Sequence, residues 1–406
     1  MKKRTKIFLL VSVIVLVVIG ALFKKQIGAL VIPRTDVPGL PATSTPFVDP
    51  IVSQLSVSTG FTLSVFARNV KDARVITFDP SGALLVSQTD QGRIIYIADT
   101  NNDGIADVQK TIAIDLTNPH GLEWKCTTDS NCTLYVAEQD KLVSFAYDVT
   151  NHTLTNKKVL FDIPGSITDR HVTRTLQFLP PPLGDTLLIS VGSSCNTCEE
   201  NDSMRGGIMA FDIKKNKVDR FAKGLRNSVF MTIRSSDNKV IATEMGRDGL
   251  GDEIPPDEIN SIEGGKDYGW PVCYGNNIHD TEYDKKTYIR NPCMEPFTTP
   301  SFIDIPAHSA PLGLAFVPTT WPAMYANNLL VAYHGSWNRS IPTGYKIVRM
   351  EFDATGKYIK SEDFISGWLT AAGTKIGRPV DLKFGPDSAL YISDDTANVI
   401  YRLKAQ

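Results

Sequence analysis

Residues 73–88 read "ARVITFDPSGALLVSQ". Two apolar runs rich in β-branched side chains flank "DPSG", whose Asp, Pro and Gly favour a tight turn. That is the pattern of an antiparallel hairpin. The unit recurs as "HGLEWKCTTDSNCTLYVAE" from 120, "VTRTLQFLPPPLGDTLLISVG" from 172 and "NSVFMTIRSSDNKVIATEMG" from 227. It recurs again as "PLGLAFVPTTWPAMYANNLLVAYHG" from 311 and "RPVDLKFGPDSALYISDD" from 378. A further apolar run follows the copies: "GRIIYIAD", "KLVSFAYD", "GGIMAFDI", "DEINSIEG", "GYKIVRMEF" and "NVIYRLK". Six such units, spaced roughly 45 to 85 residues apart, suit the blades of a β-propeller. One blade alone would leave both apolar faces wet, and packing the blades around a ring buries them. The expected fold is all-β, a six-bladed β-propeller over residues 55–406. "FTLSVFARNV" (61–70) precedes the first copy without a hairpin partner and is expected to be the outer strand of the last blade, closing the ring. The wide gap at 264–309 reads as an insertion on one face.

The chain of 406 residues is 42% hydrophobic and 21% charged, a globular balance. Residues 1–27 hold six basic side chains and no acid, which leaves 36 basic against 44 acidic for the rest. A mildly acidic body argues against nucleic acid as a partner, because phosphate binding needs a basic surface. Residues 7–23 are an apolar run bracketed by lysines and an arginine. Residues 1–27 are therefore expected to be a signal or membrane-anchor segment, kept as an anchor with the body exported to the periplasm or cell surface. The Pro- and Thr-rich residues 28–54 read as an extended tether. Six cysteines lie in sequence-local pairs: Cys126 with Cys132, Cys195 with Cys198, Cys273 with Cys293. Three local bridges are the simplest of about fifteen connectivities. They suit an oxidising compartment. "CNTC" at 195–198 has zinc-binding and redox rivals, but zinc would need a second such pair.

Propellers carry their chemistry at the mouth of the central channel. Just before the innermost strand of successive repeats stand His120, His171 with Arg174, Arg226 with Asn227, and Arg378 with Asp381. One arginine at such a place is best read as a blade-to-blade salt bridge. Several cations converging on one cup are costly without an anion to neutralise them. The set therefore points to a small polyanionic ligand.

These residues also carry a resemblance. "HVTRTLQF…ISVGSSCNTC", "GLRNSV", "ATEMGRDGLGDEIPPDEIN", "DYGWPVCYG" and "GRPVDLKFGPDSALYISDD" resemble the soluble quinoprotein glucose/sorbosone dehydrogenase family, from about Leu55 to Arg402. That family consists of six-bladed aldose dehydrogenases that use pyrroloquinoline quinone (PQQ) and calcium. The resemblance implies oxidation of an aldose at C1 to the lactone, with electrons passed on to an acceptor it does not identify. It implies His171 as the catalytic base and Arg226 with Asn227 at the quinone carbonyls. It also implies Gly246 and Arg247 as backbone-carbonyl ligands of calcium, and Arg378 at a cofactor carboxylate. Arg174 and Asp381 are expected to join the cofactor site. A neutral histidine can take the hydroxyl proton. Flanking Arg170 and Arg174 would favour the neutral ring, and Arg226 would stabilise developing negative charge.

The chain departs from the glucose-oxidising members at two points. Met245 stands where they have glutamine, and "HGSWNRS" (334–340) stands where they carry a lysine. Arg339 or His334 is the expected substitute, and Trp337 is open as a stacking face for the quinone or a sugar ring or as a packed core side chain. "DTNNDGIAD" (99–107) offers Asp99, Asn101, Asp103 and Asp107 at the first spacings of a calcium loop, although Lys110 replaces the closing glutamate. A structural calcium and a plain polar turn are both open there. His279 and His308 are too dispersed to suggest a metal site. Two rival readings remain: a metal-dependent lactonase with Asp381 and Asp248 converging on the axis, and a catalytically empty propeller that binds glycan or protein.

Overall fold

The computed structural model describes residues 49–165 and 171–406. Six four-stranded antiparallel sheets make up this body, one of them extended by the short strand Ser56–Val57. The first strand of each sheet is Ala73–Phe78, Leu122–Thr128, Leu176–Phe178, Met231–Arg234, Pro311–Phe316 and Pro379–Phe384. Each of these touches the next in cyclic order, the last returning to the first, so they line a central channel. The strand Phe61–Arg68 pairs with Val399–Ala405, with Leu63 opposite Leu403. The ring thus closes by joining the two ends of the body, as the unpaired run at 61–70 led us to expect.

Strand alternation explains why inner blade strands are apolar on both faces. In Thr186–Val191, Leu187, Ile189 and Val191 pack with Tyr135 and Leu142 of the second blade. Leu188 points the other way, onto Met231 and Val240 of the fourth. The sixth blade is likewise packed against the first through Phe66, Tyr391, Ile76 and Val86. Polar staples join neighbouring blades: Thr243 Oγ1 donates to the Leu312 carbonyl (3.0 Å), and Gly121 N–H to the Arg174 carbonyl (2.9 Å). The approach is so close at Gly313 that a Cβ there would lie 2.5 Å from Asp381 Cα. Only glycine fits that position.

Between Asp257–Ile262 and Ile303–Ile305 of the fourth blade the chain makes a small hairpin, Cys273–Tyr274 with Ile278–His279. The three local disulfides all form: Cys126–Cys132, Cys195–Cys198 and Cys273–Cys293. The apolar run at 7–23 and the tether up to residue 48 lie outside the described residues. Within residues 49–54, Val52–Gln54 form one 3-10 turn, and Ile51 and Val52 pack against the core shared by the fifth and sixth blades. No helix among the described residues is long and apolar enough to cross a membrane.

Candidate active site

At the end of the channel where the innermost strands begin lies a cleft of about 360 Å³, within the usual range for small-molecule sites. His171, Arg226 and Asn227 form one wall, and Met245, Gly246 and Asp248 another. Asp257, His308, Ala310, Trp337 and Asn338 complete it. All but Asp257, which opens the strand Asp257–Ile262, come from the loop before an inner strand or from the loop joining the second and third strands of a blade. The long polar connections, not the strands, therefore furnish the chemistry.

Ser193 ties the first wall together. Its N–H donates to the Arg226 carbonyl (2.8 Å), and its hydroxyl donates to the Cys195 carbonyl (2.7 Å). That leaves the Ser193 carbonyl and hydroxyl oxygens to accept from His171 Nδ1, at 3.0 and 2.9 Å. Both partners accept, so the neutral imidazole carries its proton on Nδ1 and its basic lone pair on Nε2. Gly192 makes this packing possible: a Cβ there would lie 2.6 Å from His171 Cβ and 2.8 Å from Asn227 Oδ1.

Arg226, only 4% exposed, is fixed on all sides. Nε donates to the Asn196 carbonyl (3.0 Å), and Nη1 to the carbonyls of Gly246 (2.9 Å) and Met245 (3.3 Å). Nη2 donates to Asn196 Oδ1 (2.9 Å) and Asp248 Oδ2 (3.2 Å). Asp248 Oδ1 in turn accepts from Asn338 Nδ2 (2.8 Å), and Asn338 Oδ1 is buried without a hydrogen-bond partner. Asp257 accepts the backbone N–H groups of Gly246 and Ala310, each at 2.8 Å. Burial pushes its carboxyl up to about 6.

The cup of converging cations expected from sequence is not what the structure shows. Arg174 is 0% exposed and curls back onto the carbonyls of His171, Thr173 and Pro164. Arg378 donates to the carbonyls of His334 and Gly335 and lies over the Tyr345 ring. Asp381 lines the cavity at the opposite mouth of the channel and accepts the Ile76 N–H (2.9 Å) across the join of the sixth and first blades. It therefore does not converge with Asp248, as a lactonase site would need. A long arginine can reach its own backbone, and a buried guanidinium is cheapest where carbonyls already wait.

In the 334–340 loop, the side chains at the cleft are Trp337 and Asn338. Arg339 pairs with Glu253 (2.5 Å), and His334 with Asp395 (3.0 Å). Arg247 turns its side chain to Asp280 (3.1 Å) and Thr197 (3.2 Å). His120 is fully buried against Phe230, and burial holds its ring well below the usual histidine range. Arg170 lies outside the described residues.

At 99–107 the acidic oxygens are turned onto the loop itself. Asp99 accepts the N–H groups of Asp103 and Gly104, and Asp107 those of Thr100 and Asn101. These contacts give the carboxylates backbone partners. Among the described residues the one cluster with metal-ligand spacing is Cys195, Cys198 and Glu200, and its two sulfurs are bonded to each other.

Sequence reasoning missed Ser193, Asn196 and Asn338. It saw Asp248 only as a metal ligand and His308 only as an isolated histidine. It also missed Arg74, which stands at the start of the inner strand Ala73–Phe78, in register with Arg174, and pairs with Asp395 (2.9 Å). The repeat alignment could have shown Arg74, whereas the others sit on loops that do not repeat.

Comparison with known proteins agrees with this architecture. Over 366 residues the chain is 31% identical to an uncharacterised protein of Borreliella burgdorferi, covering 87% of this chain and 91% of that one. It is 26% identical over 420 residues to the pyrroloquinoline quinone-dependent pyranose dehydrogenase of Coprinopsis cinerea, covering 86% of this chain. It spans 54% of that relative, about half its length. The structure of a Trichoderma reesei carbohydrate-active enzyme of family AA12 superposes with a TM-score of 0.74 at 21% identity, covering 87% of this chain and 98% of that one. The TrAA12-like profile matches residues 55–406. The chain belongs to the TrAA12-like family.

Proposed function

We propose that the protein oxidises an aldose sugar at C1 to its lactone, with PQQ and calcium held in the cleft. The observation that carries this reading is the wall built on Ser193, where one residue fixes the tautomer of His171 and the backbone of Arg226 together. The cofactor named for the Coprinopsis relative supports it.

The residues present fit such a cofactor. The cleft has a cationic side at Arg226 and a hard-oxygen edge at the Gly246 carbonyl, Asp248 and Asp257. Those two carboxylates would repel a bare polyanion. A divalent cation on that edge offsets them, and calcium takes carboxylate and carbonyl oxygens without strict geometry. Gly246, Arg247, Asp248 and Asp257 would hold the metal, and Arg226 and Asn227 the quinone. When bound, PQQ supplies the hydride acceptor.

The chain's own side chains do the rest. His171 takes the C1 hydroxyl proton on Nε2, while Ser193 keeps Nδ1 protonated. Arg226 stabilises negative charge that develops beside it, and its near-total burial raises the worth of that interaction. Trp337, 73% exposed at the rim, offers an apolar face for a sugar ring. Asn338, whose Oδ1 has no hydrogen-bond partner, offers an acceptor for a hydroxyl group. An exported body carrying three disulfides would pass its electrons to an extracytoplasmic acceptor.

The test is reduction of an artificial dye by the purified protein supplied with PQQ, calcium and a panel of aldoses. Turnover is expected for at least one sugar. His171→Gln should lower kcat by about 10²–10⁴-fold and leave PQQ binding unchanged. Absence of both dye reduction and bound quinone would remove this reading.

A further inference from the structure

We infer that Asn196 is the positioning residue of this site, and that the Cys195–Cys198 bridge exists to hold it there. The inference rests on the dehydrogenase reading of the cleft. Asn196 does not line the cleft, yet it uses every polar atom of its side chain on residues that do. Its Oδ1 accepts from Arg226 Nη2 (2.9 Å) and from the Asp248 N–H (2.9 Å), and its Nδ2 donates to the Asp248 carbonyl (2.9 Å). Its own carbonyl accepts Arg226 Nε (3.0 Å) and Trp270 Nε1 (3.4 Å). One residue thus sets both members of the Arg226–Asp248 pair, whose carboxylate then orients Asn338.

The turn that carries Asn196 is unusually well tied. Cys195 and Cys198 are three residues apart, the shortest span of the three bridges, against six and twenty. A bridge across so short a loop removes the least freedom from the unfolded chain. Its effect is therefore on local geometry more than on global stability. The Cys195 carbonyl receives the Ser193 hydroxyl, so the same turn also fixes the oxygen that holds His171 Nδ1. Thr197 Oγ1 accepts from Arg247 Nη1 (3.2 Å). A four-residue turn therefore braces the base, the cation and the loop of the hard-oxygen edge. Without the bridge the backbone carbonyl under Arg226 is free to move, and a buried guanidinium that loses a partner leaves its optimal orientation.

The test uses Asn196→Ala, Asn196→Asp and the double variant Cys195→Ser/Cys198→Ser in the full chain. In each we would measure PQQ dissociation, kcat and KM separately, and the exchange rate of the Arg226 Nε–H by ¹⁵N NMR without cofactor. Asn196→Ala is expected to weaken PQQ binding and lower kcat by about tenfold or more, with KM for the sugar little changed. Asn196→Asp keeps the acceptor for Arg226 and should recover part of the PQQ affinity. The double serine variant should keep the melting temperature within a few degrees and still lose affinity. In both Asn196→Ala and the serine variant the Arg226 Nε–H should exchange faster than in the parent. The inference is overturned if Asn196→Ala binds PQQ and turns over within about twofold of the parent. It is equally overturned if the losses follow a fall in folded fraction, or if Arg226 exchange is unchanged. Should the parent itself bind no PQQ, the dehydrogenase reading fails by that result alone, and the exchange rate still decides the role of Asn196.

Discussion

Gly192 shows how narrowly the wall of the cleft is built. A methyl group there would meet His171 Cβ at 2.6 Å and Asn227 Oδ1 at 2.8 Å, and the first of these is fixed directly to its backbone. Gly192→Ala should therefore displace the imidazole and cut kcat by about tenfold or more while the protein still folds. Near-parental kcat in that variant would show that His171 is not held as described. His171, Arg226 and Asn227 were legible in the sequence because the repeat places them ahead of inner strands. Arg174 and Arg378 share that position but not the outcome. Position in a repeat fixes where a Cα stands, while a four-carbon-reach side chain chooses between cleft and backbone by local hydrogen bonding. Ser193 and Asn196 were hidden for the converse reason: their importance lies in short contacts made after the blades have packed.

Among the elements, the closing strand Phe61–Arg68 was legible because it was an apolar run without a partner in its own neighbourhood. Its packing has an energetic signature. Phe66 is 4% exposed and meets the Tyr391 ring edge-on at 4.9 Å, within the core shared by the sixth and first blades. Phe66→Ala should cost about 3–5 kcal/mol in urea unfolding. A loss below about 1 kcal/mol would mean that the strand does not seal the ring. The turn at 99–107 is not decided by its spacing, since carboxylates at those intervals serve a cation or the loop's own N–H groups equally well. The closing position, Lys110, points away to the Asn151 carbonyl (2.9 Å) and supplies no seventh oxygen.

For the molecule as a whole, the ring imposes a pH dependence through the join of its first and last blades. Burial raises Asp381 to about 6, although two backbone N–H groups hold it, from Ile76 and Leu382. Its proton is retained in the folded state between pH ~4 and ~6 and lost in the unfolded state, so this group's stabilisation falls as pH rises through that window. Asp381→Asn removes the titration. The stability difference between parent and variant should thus shift against the parent from pH 4 to pH 6 and level off above it. An unchanged difference across that window would show that Asp381 is not buried as a staple. His334, lowered to about 4 by burial, contributes the opposite slope and is common to both proteins, so it cancels from the comparison. The same closed ring brings distant loops to one mouth, where, among the described residues, one arginine and two carboxylates share a cleft. The account stands or falls on what that mixed-charge cleft binds. The most direct measurement is titration of the full chain with PQQ, with calcium present and with calcium chelated, read as quinone absorbance that stays with the protein. The account predicts saturable binding with calcium, weakened by about tenfold or more on chelation or in Arg226→Ala; no retained quinone in the parent, or equal affinity in Arg226→Ala, would contradict it.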